Sequence, residues 1–324
     1  MKLLVFLILI FSCSNKPETK GKDDVVLIFI SEEDKEILEP FILDLFDKAY
    51  LTPQEEKEFK VKFKKPLLFN KFLKHPNILC ISLKNPIDST GDVLSMHLVK
   101  EQEKKPIIIF NDPYARNQTL AVINEFDSIS AIKSLFDYKD WIVNEFRETW
   151  EKRILADIVE ANRNEKIEDK INDYFDLDII IPKDYEVIKS NRENNFFWIG
   201  DDYPYKWVIL YMDKNDAFVS PKLALDNIVN KLAVNDIKIN VTQEGRRFKV
   251  FVFKEEKMKS ISGLYEHPEK LVGGPFQAFF REIGDSTFVM FSMVNNPGKE
   301  KLFYLKQFEV IFKYINKRNQ RHKT

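Results

Sequence analysis

The hydrophobic positions in the first half of the chain predict a series of short strands. Some segments are continuous apolar runs, which are typical of buried strands, and residues 59–64 alternate apolar side chains with lysines, which is typical of a half-exposed strand. The strands predicted in this half are residues 25–30, 59–64, 77–83, 93–99 and 106–110.

Segments whose apolar residues recur at helical spacing lie between these strands and after them. Ser31 is a predicted N-cap for a helix that ends near residue 52, and Pro40 inside it should kink the helix or split it in two. A short helix is predicted at residues 67–73. From residue 128 to 164 apolar side chains recur every four residues, which predicts one long amphipathic helix, bent near Asp140.

The second half combines strands with three predicted helices. Ser220-Pro221 is a strong helix start, with serine as the cap and proline at the first helical position, and the other two helices are residues 166–174 and 299–315. Gly284-Asp285-Ser286 predicts a hairpin turn between the last two strands. The predicted strands are residues 177–181, 195–199, 206–212, 248–253, 259–265, 276–283 and 287–294.

Together these elements predict an α+β protein with antiparallel sheets and packed helices. The polar stretch 161–165 marks a seam, so we expect two α/β-sandwich-like halves, residues 24–164 and 165–318, joined by the long helix. Residues 319–324 form a basic tail.

The amino terminus is typical of a lipoprotein signal peptide. Residues 3–11 are apolar but too short to span a bilayer, and they lead into Ser12-Cys13, which resembles the site cut by lipoprotein signal peptidase. Residues 1–12 are therefore predicted to be removed and Cys13 to carry lipid, with residues 13–23 as a flexible tether. Ser14 after the cysteine favours the outer membrane. The sequence leaves both faces of that membrane open, and the periplasmic face is the one expected. The alternative is an ordinary signal peptide with an accidental cysteine.

Composition and charge exclude two classes of protein. The chain has 28 phenylalanines and 44% hydrophobic residues, which excludes disorder for most of its length. Its 50 Lys and Arg balance 51 Asp and Glu, scattered in both signs, which argues against a nucleic-acid partner. Cys80 lies in an apolar run and is interpreted as a buried core residue.

Several strings resemble a family of Bacteroidota lipoproteins known as domain of unknown function 4837. They are Pro182-Lys183-Asp184-Tyr185, Phe197-Trp198, Gly263-Leu264-Tyr265 and Gly273-Gly274-Pro275-Phe276. The resemblance implies an envelope location and a shared fold. It implies no activity and no catalytic residues.

Candidate binding residues cluster in the second half. Asp201-Asp202 could bind a cation or a sugar hydroxyl, or could be an ordinary solvated turn. Gly273-Gly274 could let the backbone approach a ligand, or could simply allow a tight entry into a strand. The candidate ligand-binding residues are Trp198, Asp201, Asp202, Tyr265, Glu266, Gly273, Gly274 and Arg281. The sequence has none of the common catalytic, metal-binding or nucleotide-binding motifs, so no cofactor or metal is predicted.

Two functions remain open at this point. The first is a membrane-anchored, non-catalytic module that binds an envelope protein or glycan through exposed aromatic residues such as Trp198, Tyr203 and Trp207. The second is an envelope hydrolase or transferase with an unusual site built from Asp201, Glu266, His267 and Arg281, for which these residues would have to share one cleft.

Overall fold

A computed structural model describes residues 16–87, 105–161, 163–242, 245–253, 255–270 and 272–317. The predicted leader, Cys13, the strand at 93–99 and the tail at 319–324 lie outside these residues. Helices and strands both contribute extensively, which confirms the α+β prediction. No helix in the described part of the chain is both long and apolar enough to cross a bilayer.

The chain divides into two compact units that do not follow the predicted seam. The first holds the chain up to Phe46 and again from Phe59 to Trp150, and the second holds Asp47–Glu58 and the chain from Glu151 onward. The boundary falls inside the helix Lys139–Ala161. Segment 47–58 joins the second unit because it forms its own two-stranded ladder, Ala49–Tyr50 with Glu56–Lys57, and its side chains bond to that unit.

The first unit is built on a five-stranded sheet in which most neighbours are parallel. Its strands are β1 (Val25–Phe29), β4 (Lys60–Lys64), β5 (Asn77–Leu83), β6 (Ile107–Asn111) and β7 (Thr119–Glu125), with Ala49–Tyr50 and Glu56–Lys57 counted as β2 and β3. Their order is β4-β1-β5-β7-β6, and only β6 runs antiparallel to its neighbour. The predicted antiparallel pairing therefore does not describe this unit. Burial of both faces explains the continuous apolar runs.

Three helices pack around this sheet. They are α1 (Glu32–Leu45), α2 (Ser128–Asp137) and α3 (Lys139–Ala161), and a short 3₁₀ helix covers Pro66–Phe72. Helix α1 is not divided at Pro40 and ends at Leu45, so the predicted end near residue 52 is wrong. The single long helix predicted for residues 128–164 is two helices, because α2 ends at Asp137, with Tyr138 as its C-cap. Cys80 is fully buried in the core, and burial raises the pKa of its thiol.

The segment predicted as a flexible tether is held against the first unit from Lys16 onward. The Lys16 ammonium donates to the carbonyl of Asp112 at 2.6 Å, and the backbone N–H of Arg116 donates to the carbonyl of Pro17 at 2.9 Å. Glu18 pairs with Arg116 at 3.0 Å. Residues 16–20 are therefore part of the folded body.

The second unit is built on an eight-stranded antiparallel sheet. Its strands are β9 (Glu186–Asn191), β10 (Phe196–Asp202), β11 (Tyr205–Lys214), β12 (Asn240–Val241), β13 (Arg247–Phe253), β14 (Glu256–Glu266), β15 (Gly273–Ile283) and β16 (Ser286–Asn295), and a separate ladder pairs β8 (Leu177–Asp178) with β17 (Asn316–Lys317). The order is β12-β14-β15-β16-β11-β10-β9, with β13 also paired to β14. The predicted hairpin through Gly284 is confirmed.

Helices cover both faces of this sheet. They are α4 (Glu165–Phe175), α5 (Pro221–Val234) and α6 (Leu302–Lys313). Ser220 caps α5 as predicted. One face, called here the α5 face, packs Phe196, Tyr211 and Phe276 against that helix. The opposite face, the α6 face, stacks Phe279 on Phe312 of α6, with ring centroids 4.9 Å apart.

A balanced group of six charges lies beside α6 on that face. This charge cluster consists of Lys48, Glu58, Glu151, Lys306, Glu309 and Lys313. Lys306 is fully buried and lies 2.5 Å from Glu58 and 3.5 Å from Glu309. Burial alone would lower the pKa of Lys306, but the surrounding carboxylates outweigh it, so that its pKa is raised. Burial likewise opposes ionisation of Glu309, yet the neighbouring lysines keep its pKa below the usual value.

Candidate functional site

The α5 face carries an open cavity of about 400 Å³ beyond the end of α5. Its apolar walls, which define the aromatic cavity, are Trp198, Tyr205, Trp207, Ile239, Tyr265 and Met293. Lys238, His267, Lys270 and Asn295 contribute polar groups. A cavity of this size with apolar walls and a few polar groups is the usual form of a small-ligand site.

Strand alternation brings the three aromatic residues of the β10–β11 hairpin onto this face. Trp198 lies opposite Ile209 of β11, so these two side chains share one face of the sheet. Trp207 and Tyr205 precede Ile209 by two and four residues, and alternation therefore puts their side chains on that face too. The Trp198 and Trp207 rings meet edge to face at 6.3 Å, and Trp207 and Tyr205 lie 5.7 Å apart. The result is a continuous aromatic wall.

Two glycines allow close packing around this wall. Gly200 pairs with Trp207 across the hairpin, and a Cβ on Gly200 would lie 2.5 Å from the Trp207 ring. Gly274 pairs with Tyr265, and a Cβ there would lie 2.0 Å from the carbonyl oxygen of Val294. A strand glycine often marks such a close approach. Gly274 therefore acts through packing and lies beneath the cavity wall.

Two polar atoms in the wall have no partner. Within the described residues, neither the Trp198 Nε1 nor the Tyr265 hydroxyl makes a hydrogen bond, and both atoms are closed to solvent. A buried unpartnered group of this kind costs about 1–3 kcal/mol. Burial raises the pKa of Tyr265, so its phenol stays protonated at neutral pH. Both atoms are satisfied only if the wall rearranges or a polar group enters it.

A salt bridge crosses the polar side of the cavity. Lys238, in the segment after α5, pairs with Glu269 of the loop 267–272 at 2.9 Å. The hydrogen bond and charge of each partner raise the pKa of Lys238 and lower that of Glu269. Asp236 is similarly paired with Lys189 at 3.0 Å. Lys238 and Asp236 are thus each paired with an opposite charge, and Lys270 is a further charged residue of the lining.

Several predicted site residues lie at or beside the cavity. Trp198 and Tyr265 are in its wall. Glu266 and Gly273 line an adjoining groove, which shares His267 with the cavity. The sequence alone did not indicate Lys238, Ile239 or Met293. The strand order of the sheet brings Met293 to the aromatic residues, and the path of the chain after α5 brings Lys238 and Ile239 there.

The other predicted residues lie elsewhere. Asp201 is on the opposite, α6 face, paired with the buried Lys206 at 2.8 Å, and Asp202 is exposed near the hairpin turn. Arg281 is eight residues along β15 from Gly273, which is about 26 Å in an extended strand, and it pairs with Glu256. The structure therefore does not bring Asp201 and Arg281 into one cleft with Glu266 and His267. No cluster of potential metal ligands occurs among the residues that the structure describes.

Comparison with known families finds one match in the second half of the chain. The model of the family described as "Domain of unknown function (DUF4837)" matches residues 164–314. This range contains the whole eight-stranded sheet and the aromatic cavity. No curated protein matches the chain.

Solved structures show only distant likeness. CyanoP, the PsbP protein of Synechocystis sp. PCC 6803, is 3% identical, with 44% of this chain and 86% of that chain covered and a TM-score of 0.34. The Ran-binding protein Mog1p of Saccharomyces cerevisiae is 8% identical, with coverage of 44% and 89% and a TM-score of 0.30. A Bacteroides thetaiotaomicron protein is 10% identical, with coverage of 46% and 47% and a TM-score of 0.22. These scores are too low to carry an argument about function.

Proposed function

We propose that this chain is a lipid-anchored envelope protein without catalytic activity, whose second unit binds a carbohydrate in the aromatic cavity. The observation that carries the proposal is the continuous wall of Trp198, Trp207 and Tyr205 along a cavity of about 400 Å³.

The chemistry of the wall suits a sugar ring. Aromatic faces are electron-rich, and the C–H face of a pyranose is apolar and slightly electropositive, so the two stack favourably. Asn295 and Lys270 offer polar groups for the hydroxyls at the ring edge. Lys238 and Asp236 are already paired with opposite charges, so neither needs a charged group from the ligand.

Binding is tested on an array of bacterial and plant glycans with the purified protein and two tryptophan variants. Trp207→Ala should weaken any glycan signal at least tenfold, because truncation of a central aromatic anchor commonly costs more than about 1.4 kcal/mol. Trp141→Ala is the matched control, since Trp141 is a partly exposed tryptophan of the first unit. Absence of any glycan signal, or equal binding by Trp207→Ala, would overturn the carbohydrate proposal.

The membrane anchor rests on the sequence around Cys13. An apolar leader, a small residue at the cut and a cysteine directly after it support lipidation, and two or more acyl chains hold a protein firmly on a bilayer. Labelling cells with an alkyne fatty acid should tag the wild-type protein and fail to tag Cys13→Ala. Equal labelling of both proteins would contradict the anchor. Fractionation of the labelled envelope then tests the proposed outer-membrane location, which Ser14 supports.

A further inference from the structure

The first unit exposes three aromatic side chains where two of its helices end. Phe136 in the last turn of α2 is 80% exposed, Phe41 of α1 is 43% exposed, and Tyr138 between α2 and α3 is 39% exposed. Asp44 and Lys139 form an ion pair at 2.6 Å, and Phe41 and Phe136 each precede one of these two residues by three positions. Both phenylalanines therefore lie about one helical turn from the pair. The three exposed rings are called here the aromatic corner.

The aromatic corner lies toward the amino ends of the parallel strands. Helices α1 and α2 both start at the carboxyl ends, because each follows a strand, and Ser128 at the start of α2 donates to Asp34 in the first turn of α1 at 3.2 Å. Both helices then run back along the sheet. The ten residues of α2 rise about 15 Å, and the seven residues of β7 extend about 23 Å. Thr119, the first residue of β7, bonds to Thr149 of α3 at 2.6 Å, so α3 also passes the amino ends.

The amino-terminal segment is attached at the same end of the sheet. The carbonyl of Asp112 accepts from Lys16, and its carboxylate accepts from the backbone N–H of Gln118 at 2.9 Å. Gln118 directly precedes β7, so Lys16 is held at the amino ends of the strands. Cys13 is three positions before Lys16. A lipid on Cys13 would therefore enter a bilayer at the end of the unit that carries the aromatic corner.

The chemistry at this end suits a phospholipid surface. Aromatic side chains favour the boundary between headgroups and acyl chains, where their apolar faces leave water and a tyrosine hydroxyl keeps polar partners. Lys20 and Lys74 are exposed beside the attached segment, where the backbone N–H of Lys20 donates to the carbonyl of Lys74 at 2.7 Å, and lysines attract anionic headgroups. Asp137 and Asp140 flank the aromatic corner, so its own contribution is apolar.

We infer that the aromatic corner inserts into the headgroup region of the bilayer that holds Cys13, and so forms a second contact between the first unit and the membrane. Phe136, the most exposed of the three rings, enters deepest, and Tyr138 lies nearer the headgroups. The inference rests on the proposed lipid anchor and is independent of the carbohydrate function.

Electron paramagnetic resonance measures the depth of nitroxide labels in the full-length lipidated protein. The protein is reconstituted into vesicles of phosphatidylethanolamine and phosphatidylglycerol, and the labelled variants are Phe136→Cys, Tyr138→Cys and Phe126→Cys. Phe126 is the matched control, because it is 60% exposed but follows the carboxyl end of β7. Cys80 is fully buried and a lipidated Cys13 has no thiol, so neither takes the label. Two corner positions keep the test open if one variant fails to fold.

Oxygen concentrates among acyl chains, whereas a nickel chelate stays in water. The ratio of collisions with oxygen to collisions with the chelate should be at least about fivefold higher at Phe136→Cys and Tyr138→Cys than at Phe126→Cys, because interfacial apolar groups reach the acyl boundary.

The other outcomes overturn the membrane contact in distinguishable ways. Equal ratios at all three positions would remove the contact, while fatty-acid labelling of Cys13 would still support the anchor. A corner label that is shielded from both reagents would be covered by protein, such as a second copy of this chain, and not by lipid. If Cys13 carries no lipid, the anchor fails and the membrane contact fails with it.

Discussion

The two faces of the eight-stranded sheet bury different kinds of polar group: paired charges on the α6 face, and neutral groups beside a cavity on the α5 face. On the α6 face, the charge cluster buries Lys306 completely and surrounds it with Glu58 and Glu309, and Gln277 and Tyr50 also donate to Glu309. On the α5 face, the Tyr265 hydroxyl and Trp198 Nε1 remain unpartnered beside an open cavity. Removing one partner of a buried ion pair leaves an uncompensated charge, so the charge cluster bears on stability, whereas the groups beside the cavity bear on the proposed binding.

The largest expected effect comes from breaking the charge cluster. Glu58→Ala leaves the buried Lys306 without its nearest carboxylate, which should lower the free energy of unfolding by about 3–5 kcal/mol. Urea denaturation measures the change. Glu18→Ala, which removes an exposed partner of Arg116, is the control and should cost less than about 1 kcal/mol. A loss below that level for Glu58→Ala would remove the stabilising role assigned to the α6 face.

The next effect tests the packing beneath the cavity. Gly274→Ala places a Cβ 2.0 Å from the Val294 carbonyl oxygen, so β15 or β16 must shift, at a cost of about 1–3 kcal/mol. Gly284→Ala is the comparison, because its Cβ meets nothing within 4 Å and only the positive φ of 63° opposes it, at about 1 kcal/mol. If Gly274→Ala were as stable as wild type, the close strand approach under Tyr265 would be disproved.

A pair of tyrosine variants compares a partnered hydroxyl with an unpartnered one. Tyr211 is buried on the same face and donates to Asn227 at 3.0 Å, so Tyr211→Phe should lose about 1 kcal/mol of stability. Tyr265→Phe removes a hydroxyl that has no partner, so it should leave stability unchanged or raise it by up to about 1 kcal/mol. Equal losses in thermal unfolding would mean that the Tyr265 hydroxyl is satisfied in solution.

The smallest effect concerns the salt bridge at the cavity. The pKa of Glu269 is lowered by Lys238, so the bridge is intact above that pKa and is lost as the pH falls through it. The raised pKa of Lys238 sets the upper limit, since the bridge is lost as the pH rises through that value. In an NMR titration, Lys238→Gln should raise the pKa of Glu269, and Lys189→Gln should leave it unchanged. High salt should reduce the difference, because both groups are exposed.

Local sequence signals were sufficient for much of the second unit. The Ser220 cap and the Gly284 turn each act within a few residues, so the sequence predicts α5 and the last hairpin directly. The strand order of the first unit could not be predicted in this way, because it depends on pairing between segments that are distant in the sequence. Its parallel order is encoded only indirectly, in the continuous apolar runs of β1 and β5, and the sequence analysis did not identify β7 at all.

The candidate site was only partly predictable for the same reason. Alternation places Trp198, Tyr205 and Trp207 on one face once their hairpin is known. The same alternation puts Asp201 on the other face, which the adjacency of Asp201 and Asp202 in the sequence conceals. The position of Arg281 relative to His267 depends on strand length and direction, and no local motif carries that information.

The attachment of residues 16–20 to the first unit has a consequence for how the protein meets the membrane. Only Ser14 and Asn15 separate Cys13 from Lys16, and three residue steps of extended chain reach about 11 Å at most. A lipid on Cys13 would therefore be connected to the first unit by a very short segment. The surface around Asp112 and Arg116 would then stay close to the lipid headgroups. The range of orientations open to the first unit on the bilayer would be restricted.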